Sequence, residues 1–79
     1  MHDVHMPKVG TSGAEAEILA ISVAVGDRVA PGDELFEAES DKANFSIESE
    51  VTGTVAEILV EVEGEYDTGA VLARIEVDG

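Results

Sequence analysis

Lys42 is one of two lysines in a chain that sets four basic residues against eighteen acidic ones. It stands in the stretch FEAESDKANFSIESE, from Phe36 to Glu50, among the carboxylates of Glu37, Glu39, Asp41, Glu48 and Glu50. A lysine becomes a nucleophile when burial or a neighbouring cation lowers its pKa. Carboxylates do the opposite and hold the ammonium charged. Lys42 is therefore a poor catalyst. If it is acylated, a separate enzyme must activate the acyl group and present it.

Other chemistry is scarce. There is no cysteine, so neither a disulfide framework nor a thiolate metal site can form. The two histidines, His2 and His5, fall in the first five residues, where a frayed terminus cannot preorganise a general base. His-x-x-His with no further soft ligand does not suggest a metal site. No Asp-x-Asp-x-Asp-Gly calcium loop occurs. Glu61, Glu63 and Glu65 alternate, as on one solvated strand face. Gly10 to Gly13 is too short for a phosphate loop and reads as a surface loop. No catalytic residue and no metal ligand is expected.

The net charge of -14 opposes binding to nucleic acid, which needs cations against phosphates, and to an anionic membrane surface. No apolar run approaches the roughly 18 residues of a membrane span, and no signal peptide is visible at the start. A soluble domain of an intracellular compartment is the expectation.

The elements that must position Lys42 are strands. Valine and isoleucine together number sixteen against four leucines, and β-branched side chains suit a pleated surface. Turn signals recur at Gly26-Asp27, Pro31-Gly32-Asp33, Thr52-Gly53, Gly64 and Thr68-Gly69. Eight strands are predicted: 4–8, 15–23, near 28–29, 34–40, 43–49, 54–60, near 66, and 71–77. Phe36 and Ala38 alternate with Glu37 and Glu39, and Phe45 and Ile47 with Asn44, Ser46 and Glu48. The longer strands alternate less cleanly, which predicts bulges.

The chain also repeats. Ala-Glu-Ile-Leu at 16–19 recurs at 56–59, an offset of 40; Gly26 matches Gly64 at 38, and Gly32 with Leu35 matches Gly69 with Leu72 at 37. Two units are too few for a solenoid. They predict one domain over 1–79 that is all-β, two similar four-stranded halves facing each other with approximate two-fold symmetry. Lys42, in the link between the halves, would then lie at the end of the domain opposite the chain termini.

Glu39-Ser40-Asp41-Lys42-Ala43 resembles the lipoyl-attachment turn of lipoyl domains from the acyltransferase component of 2-oxo acid dehydrogenase complexes. Gly26, Val29, Leu35 and Ala38 before the lysine, and Ile47, Gly53 and Val55 after it, are residue types that this family accepts. MPKVG at Met6–Gly10 and the half-domain repeat agree. The resemblance implies a flattened barrel or sandwich of two four-stranded antiparallel sheets, monomeric as an isolated domain. It implies lipoic acid in amide linkage to Lys42, as a flexible arm on an exposed hairpin. The arm would be reductively acylated at a thiamine-diphosphate-dependent 2-oxo acid decarboxylase. It would pass the acyl group to coenzyme A at an acyltransferase core and be reoxidised by dihydrolipoamide dehydrogenase. A lipoate ligase or lipoyl transferase would install the group.

Recognition is implied for Glu39, Ser40, Asp41 and Ala43 beside the lysine, and partner contact for the loop Thr11, Ser12, Gly13 and Ala14. Asp41 can bond local backbone and favour the turn, and Ala43 leaves room beside the lysine. Glu37, Glu39 and Glu48 would form an acidic collar. The implied location is a bacterial or archaeal cytoplasm or the mitochondrial matrix. Ser49-Glu50-Val51 departs from the family at positions where many members carry prolines. Two other readings share the lysine hairpin. One is a biotin carboxyl carrier domain, whose attachment turn resembles Met-Lys-Met. The other is an unmodified structural β-domain.

Overall fold

The computed structural model describes residues 1–7, 15–40 and 44–78. All eight strands are present: β1 His2–His5, β2 Ala16–Ile21, β3 Arg28–Val29, β4 Glu34–Glu39, β5 Asn44–Glu48, β6 Gly53–Ile58, β7 Glu65–Tyr66 and β8 Val71–Val77. They form two four-stranded sheets, ordered β1-β8-β6-β3 and β5-β4-β2-β7, with every pairing antiparallel. There is no helix among the described residues. The sheets stay open at their edges, so the architecture is a sandwich and not a closed barrel.

The two sheets are not the two halves of the sequence. Each sheet takes two strands from each half, so the two halves share both sheets and one core. The symmetry itself is regular. Ser22 N–H donates to the Leu35 carbonyl, and Leu59 N–H donates to that of Leu72. Gly26 N–H donates to the Val55 carbonyl, and Glu63 N–H to that of Ile18. From β2 to β4 each position maps onto its counterpart 37 residues later. The bulge between Ile18 and Ala20 recurs between Val55 and Glu57 at the same offset. β1 and β5 also exchange, at an offset of 43, Met6 N–H donating to the Ala70 carbonyl as Ser49 N–H does to that of Asp33.

This register corrects the sequence repeat. The Ala-Glu-Ile-Leu match at 40 pairs Ile18, fully buried, with Ile58, which is half-buried at the end of β6. The true counterpart of Ile18 is Val55, at 1% exposure. Gly26 corresponds to Glu63 and not to Gly64. Both occupy the left-handed region, at φ 98° and 73°. Gly64 is needed for a different reason: a β-carbon there would meet the Tyr66 ring, its hydroxyl oxygen at 2.6 Å.

Two further expectations shift. Residues 61–65 are not a strand face, because a turn at Val62–Glu63 separates Glu61 from β7, although all three glutamates are exposed. The first strand lies earlier than predicted and is not frayed, since His2–Val4 pairs in register with β8 from Ile75 to Ala73.

The core draws on both sheets. Phe36, Ile18 and Leu35 from one pack with Leu72, Ile75 and Val55 from the other, all essentially inaccessible. Burying each such side chain contributes about 1.5–3 kcal/mol. Leu35 and Phe36 are neighbours and both buried, which simple alternation forbids. The bulge between Glu34 and Phe36 explains it by turning one extra residue inward. No buried side-chain polar atom among the described residues lacks a partner; buried Ser49 donates to the Val51 carbonyl at 2.7 Å.

Candidate attachment site

β4 and β5 form the hairpin that contains the lysine link. Their base is anchored by buried Phe36 and Ile47, which face each other in register. Glu34 adds a polar brace, accepting hydrogen bonds from Ser22 Oγ at 2.6 Å and Ser46 Oγ at 2.8 Å. These hydroxyls hold the Glu34 carboxyl below its ordinary pKa, Ser22 contributing most. The register then runs Glu37↔Ser46, Ala38↔Phe45, Glu39↔Asn44. Pairing thus closes at Glu39 and Asn44, leaving residues 40–43 as the connection. Ser40 is half-buried. Asp41, Lys42 and Ala43 lie outside the described residues, as do Thr11, Ser12, Gly13 and Ala14.

The hairpin end and the chain termini are far apart. β5 runs from Asn44 beside the connection to Glu48, and Ser49 then bonds the Asp33 backbone. Five residues of strand at about 3.3 Å each carry the chain about 17 Å away. There the corner turns into β6, and Asp78 N–H donates to the Thr52 carbonyl. The expected opposition of the lysine link and the C-terminal strand therefore holds for the residues that flank them.

The acidic surround differs from the expected collar. Glu39 lies there, but Glu48 faces Glu34 at the other end of β5, about 13 Å along the strand. The carboxylates nearest the connection instead run across the sheet. Glu39 faces Glu17, and Glu17 faces Glu65 on its other side. Beyond them Glu15 carries a raised pKa, first from the charge of Asp67 and then from a hydrogen bond with Glu65. None of the four strands of this sheet contains a lysine or arginine. Glu17 and Glu65 are 25 and 23 residues from Lys42 in sequence, so only strand pairing brings their row to the hairpin. No group of three or more metal-ligating side chains is arranged to hold an ion among the described residues.

A lysine link closed by a braced hairpin, on one side of a two-fold sandwich, is the arrangement expected of a carrier domain. Comparison with known proteins decides the family. A family profile described as biotin-requiring enzyme matches residues 2–75. The chain belongs to this biotin–lipoyl family. It is 44% identical over 92% of its length to the dihydrolipoyllysine-residue acetyltransferase component of the pyruvate dehydrogenase complex of Corynebacterium glutamicum, covering 11% of that protein. The same component from Pseudomonas aeruginosa is 32% identical over all of this chain, which covers 14% of it. The lipoamide acyltransferase component of the branched-chain alpha-keto acid dehydrogenase complex of Bacillus subtilis is 35% identical over 94% of the chain, which covers 18% of it. The chain thus spans about a tenth to a fifth of the relatives it matches. It is similar to the lipoyl-domain portion of acyltransferase components.

Proposed function

We propose that this chain is a lipoyl carrier domain, with lipoic acid in amide linkage to Lys42, serving a 2-oxo acid dehydrogenase complex. The carrying observation is the register Glu39↔Asn44. It confines Lys42 to a four-residue connection in a chain whose relatives are acyltransferase components of such complexes. Lipoic acid, when bound, supplies a dithiolane able to carry acyl groups and electrons. The domain's own part is mechanical and electrostatic. The Phe36–Ile47 pair and the Glu34 brace hold the hairpin as a rigid stem. The row Glu39–Glu17–Glu65 offers a negative face to a basic partner surface, which favours fast and selective encounter. Tethering makes each transfer effectively intramolecular, so effective concentration replaces diffusion.

The partners that follow are the decarboxylase, the acyltransferase core, dihydrolipoamide dehydrogenase and the ligase that modifies the lysine. The compartment is that of the complex, a cytoplasm or the mitochondrial matrix. Ser40, Asp41 and Ala43 would present the lysine to the ligase, and Thr11–Ala14 would touch partners. The family description keeps a second reading alive, biotin on the same lysine.

Coexpression with a lipoate ligase or, separately, a biotin ligase distinguishes these readings by intact mass. The expected result is one lipoyl adduct, absent from Lys42→Ala. A biotin adduct, or no adduct with either ligase, overturns the proposal.

A further inference from the structure

Among the described residues β1 and β5 are edge strands, each paired on one side only, and they belong to opposite sheets. Between them runs a groove of about 250 Å³. Buried Val4 and Ile47 contribute its apolar lining, while His2 and His5 of β1 line it together with Glu48, the last residue of β5, and Glu50 just beyond the strand. The pseudo-two-fold crosses this groove. Its operation maps His5, opposite Val71, onto Glu48, opposite Glu34. The same backbone thus presents imidazole on one wall and carboxylate on the other.

The Ser46 and Ser49 hydroxyls in the lining donate within the chain, to Glu34 and to the Val51 carbonyl, which leaves the imidazole and the carboxylates to meet a ligand. His5 Nδ1 lies 2.9 Å from the Gly69 carbonyl, which can only accept, so Nδ1 carries the proton. In the neutral ring Nε2 is then an acceptor. The Glu48 and Glu50 carboxylates have no hydrogen-bond or ion-pair partner among the described residues. Both arginines are occupied elsewhere, Arg28 with Asp78 and Arg74 with Asp3 and Glu57. The Glu34 carboxylate on the same sheet is satisfied by two hydroxyls; those of Glu48 and Glu50 are not.

We infer that the β1–β5 groove docks an extended segment of a partner protein that carries an arginine. The segment adds to the open edge of β5 through its backbone, the mode by which a peptide extends a sheet. Its guanidinium enters between the walls. The planar fork donates to the Glu48 and Glu50 carboxylates, and its aliphatic stem lies on Val4 and Ile47. This surface lies along β5 away from the lysine connection, so docking would leave the attachment site free.

The test is titration of the isotopically labelled chain with the capped peptide Val-Thr-Arg-Val-Thr and its Gln-for-Arg counterpart, followed by amide shifts. The expected result is perturbation confined to residues 2–7 and 46–50 with the arginine peptide. The double variant E48Q/E50Q should weaken binding by about tenfold, the scale of one lost charge-assisted hydrogen bond. The double variant E61Q/E63Q, in the exposed turn before β7, should leave it unchanged. Equal loss in both variants would reduce the effect to general charge attraction and overturn the proposal. So would equal binding of the glutamine peptide, or the absence of shifts. Groove shifts that appear with rising protein concentration alone would assign the site to a second copy, and that also overturns it.

Discussion

One transverse row occurs twice in this molecule. In the sheet of the lysine hairpin it reads Glu39–Glu17–Glu65; at the symmetric position in the other sheet it reads Glu76–Thr54–Arg28. The backbones correspond residue for residue, but one row holds three carboxylates and the other a carboxylate, a hydroxyl and a guanidinium. The contrast extends outward. Glu34 faces Glu48 in the hairpin sheet, whereas Arg74 in the other sits between Asp3 and Glu57 and bonds both, at 3.3 and 3.0 Å. Like charges directly opposite destabilise a sheet, and opposite charges support it. The fold therefore tolerates either sign at the same position. Its stability comes from the core, and the surface rows are available for recognition.

The largest test of this equivalence lies in the core. Leu35 and Leu72 are symmetric and exposed by 1% and 0%. Leu35→Ala and Leu72→Ala should each cost about 2–5 kcal/mol, and by similar amounts, in denaturant unfolding. A large disparity would mean that one sheet dominates stability.

Next comes a place where the symmetry fails. Gly53 is the counterpart of Ala16, yet a β-carbon at Gly53 would run into the Glu76 carbonyl. Gly53→Ala should cost about 1–3 kcal/mol through a forced backbone shift, although alanine is native at the matching site. Unchanged stability would show that β6 and β8 can part without strain.

A smaller effect of opposite sign is expected at the turns. Glu63 holds φ 73° where its counterpart Gly26 holds 98°. Glu63→Gly should stabilise by about 1 kcal/mol, and Gly26→Ala should destabilise by a similar amount. Thermal unfolding of both variants checks the pair together.

The smallest effects concern the acidic row. Glu17→Gln removes repulsion from both Glu39 and Glu65 and should gain about 0.2–1 kcal/mol at neutral pH. Glu15 adds a pH signature. Its folded pKa is raised, chiefly by Asp67, so its contribution favours folding at low pH and is lost as pH rises through the folded value. Glu34 and Asp78 have lowered values, held by Ser22 and by Arg28, and their contributions are lost as pH falls. Glu15→Gln should therefore raise the melting temperature at pH 7 and lose that advantage below the carboxylate range. An equal gain at both pH values would contradict the linkage.

Much of the fold is legible in the chain. Glycine- and proline-marked turns and β-branched runs locate all eight strands, because those signals are local. The buried face of β4 is legible through Ala38 and Phe36, though not the inward turn of Leu35, which depends on a bulge in the pairing with β5. The repeat is visible but misread by up to three residues. Glu63 takes a conformation that sequence rules reserve for glycine, and adjacent Gly64 draws the alignment to itself. At the site, the lysine and its immediate flank stand out as a short motif. Glu17 and Glu65 do not, since strand pairing alone makes them neighbours of Glu39.

The sequence by itself determines that this is an all-β domain of eight short strands with a lysine set among carboxylates. Composition, turn chemistry and the Asp-Lys-Ala motif are properties of neighbours along the chain. Only the tertiary structure decides how the halves interleave, which carboxylates share a row and that two edge strands frame a groove. Those depend on register, and register is set by how two sheets bury one core between them, a condition that no single segment satisfies alone.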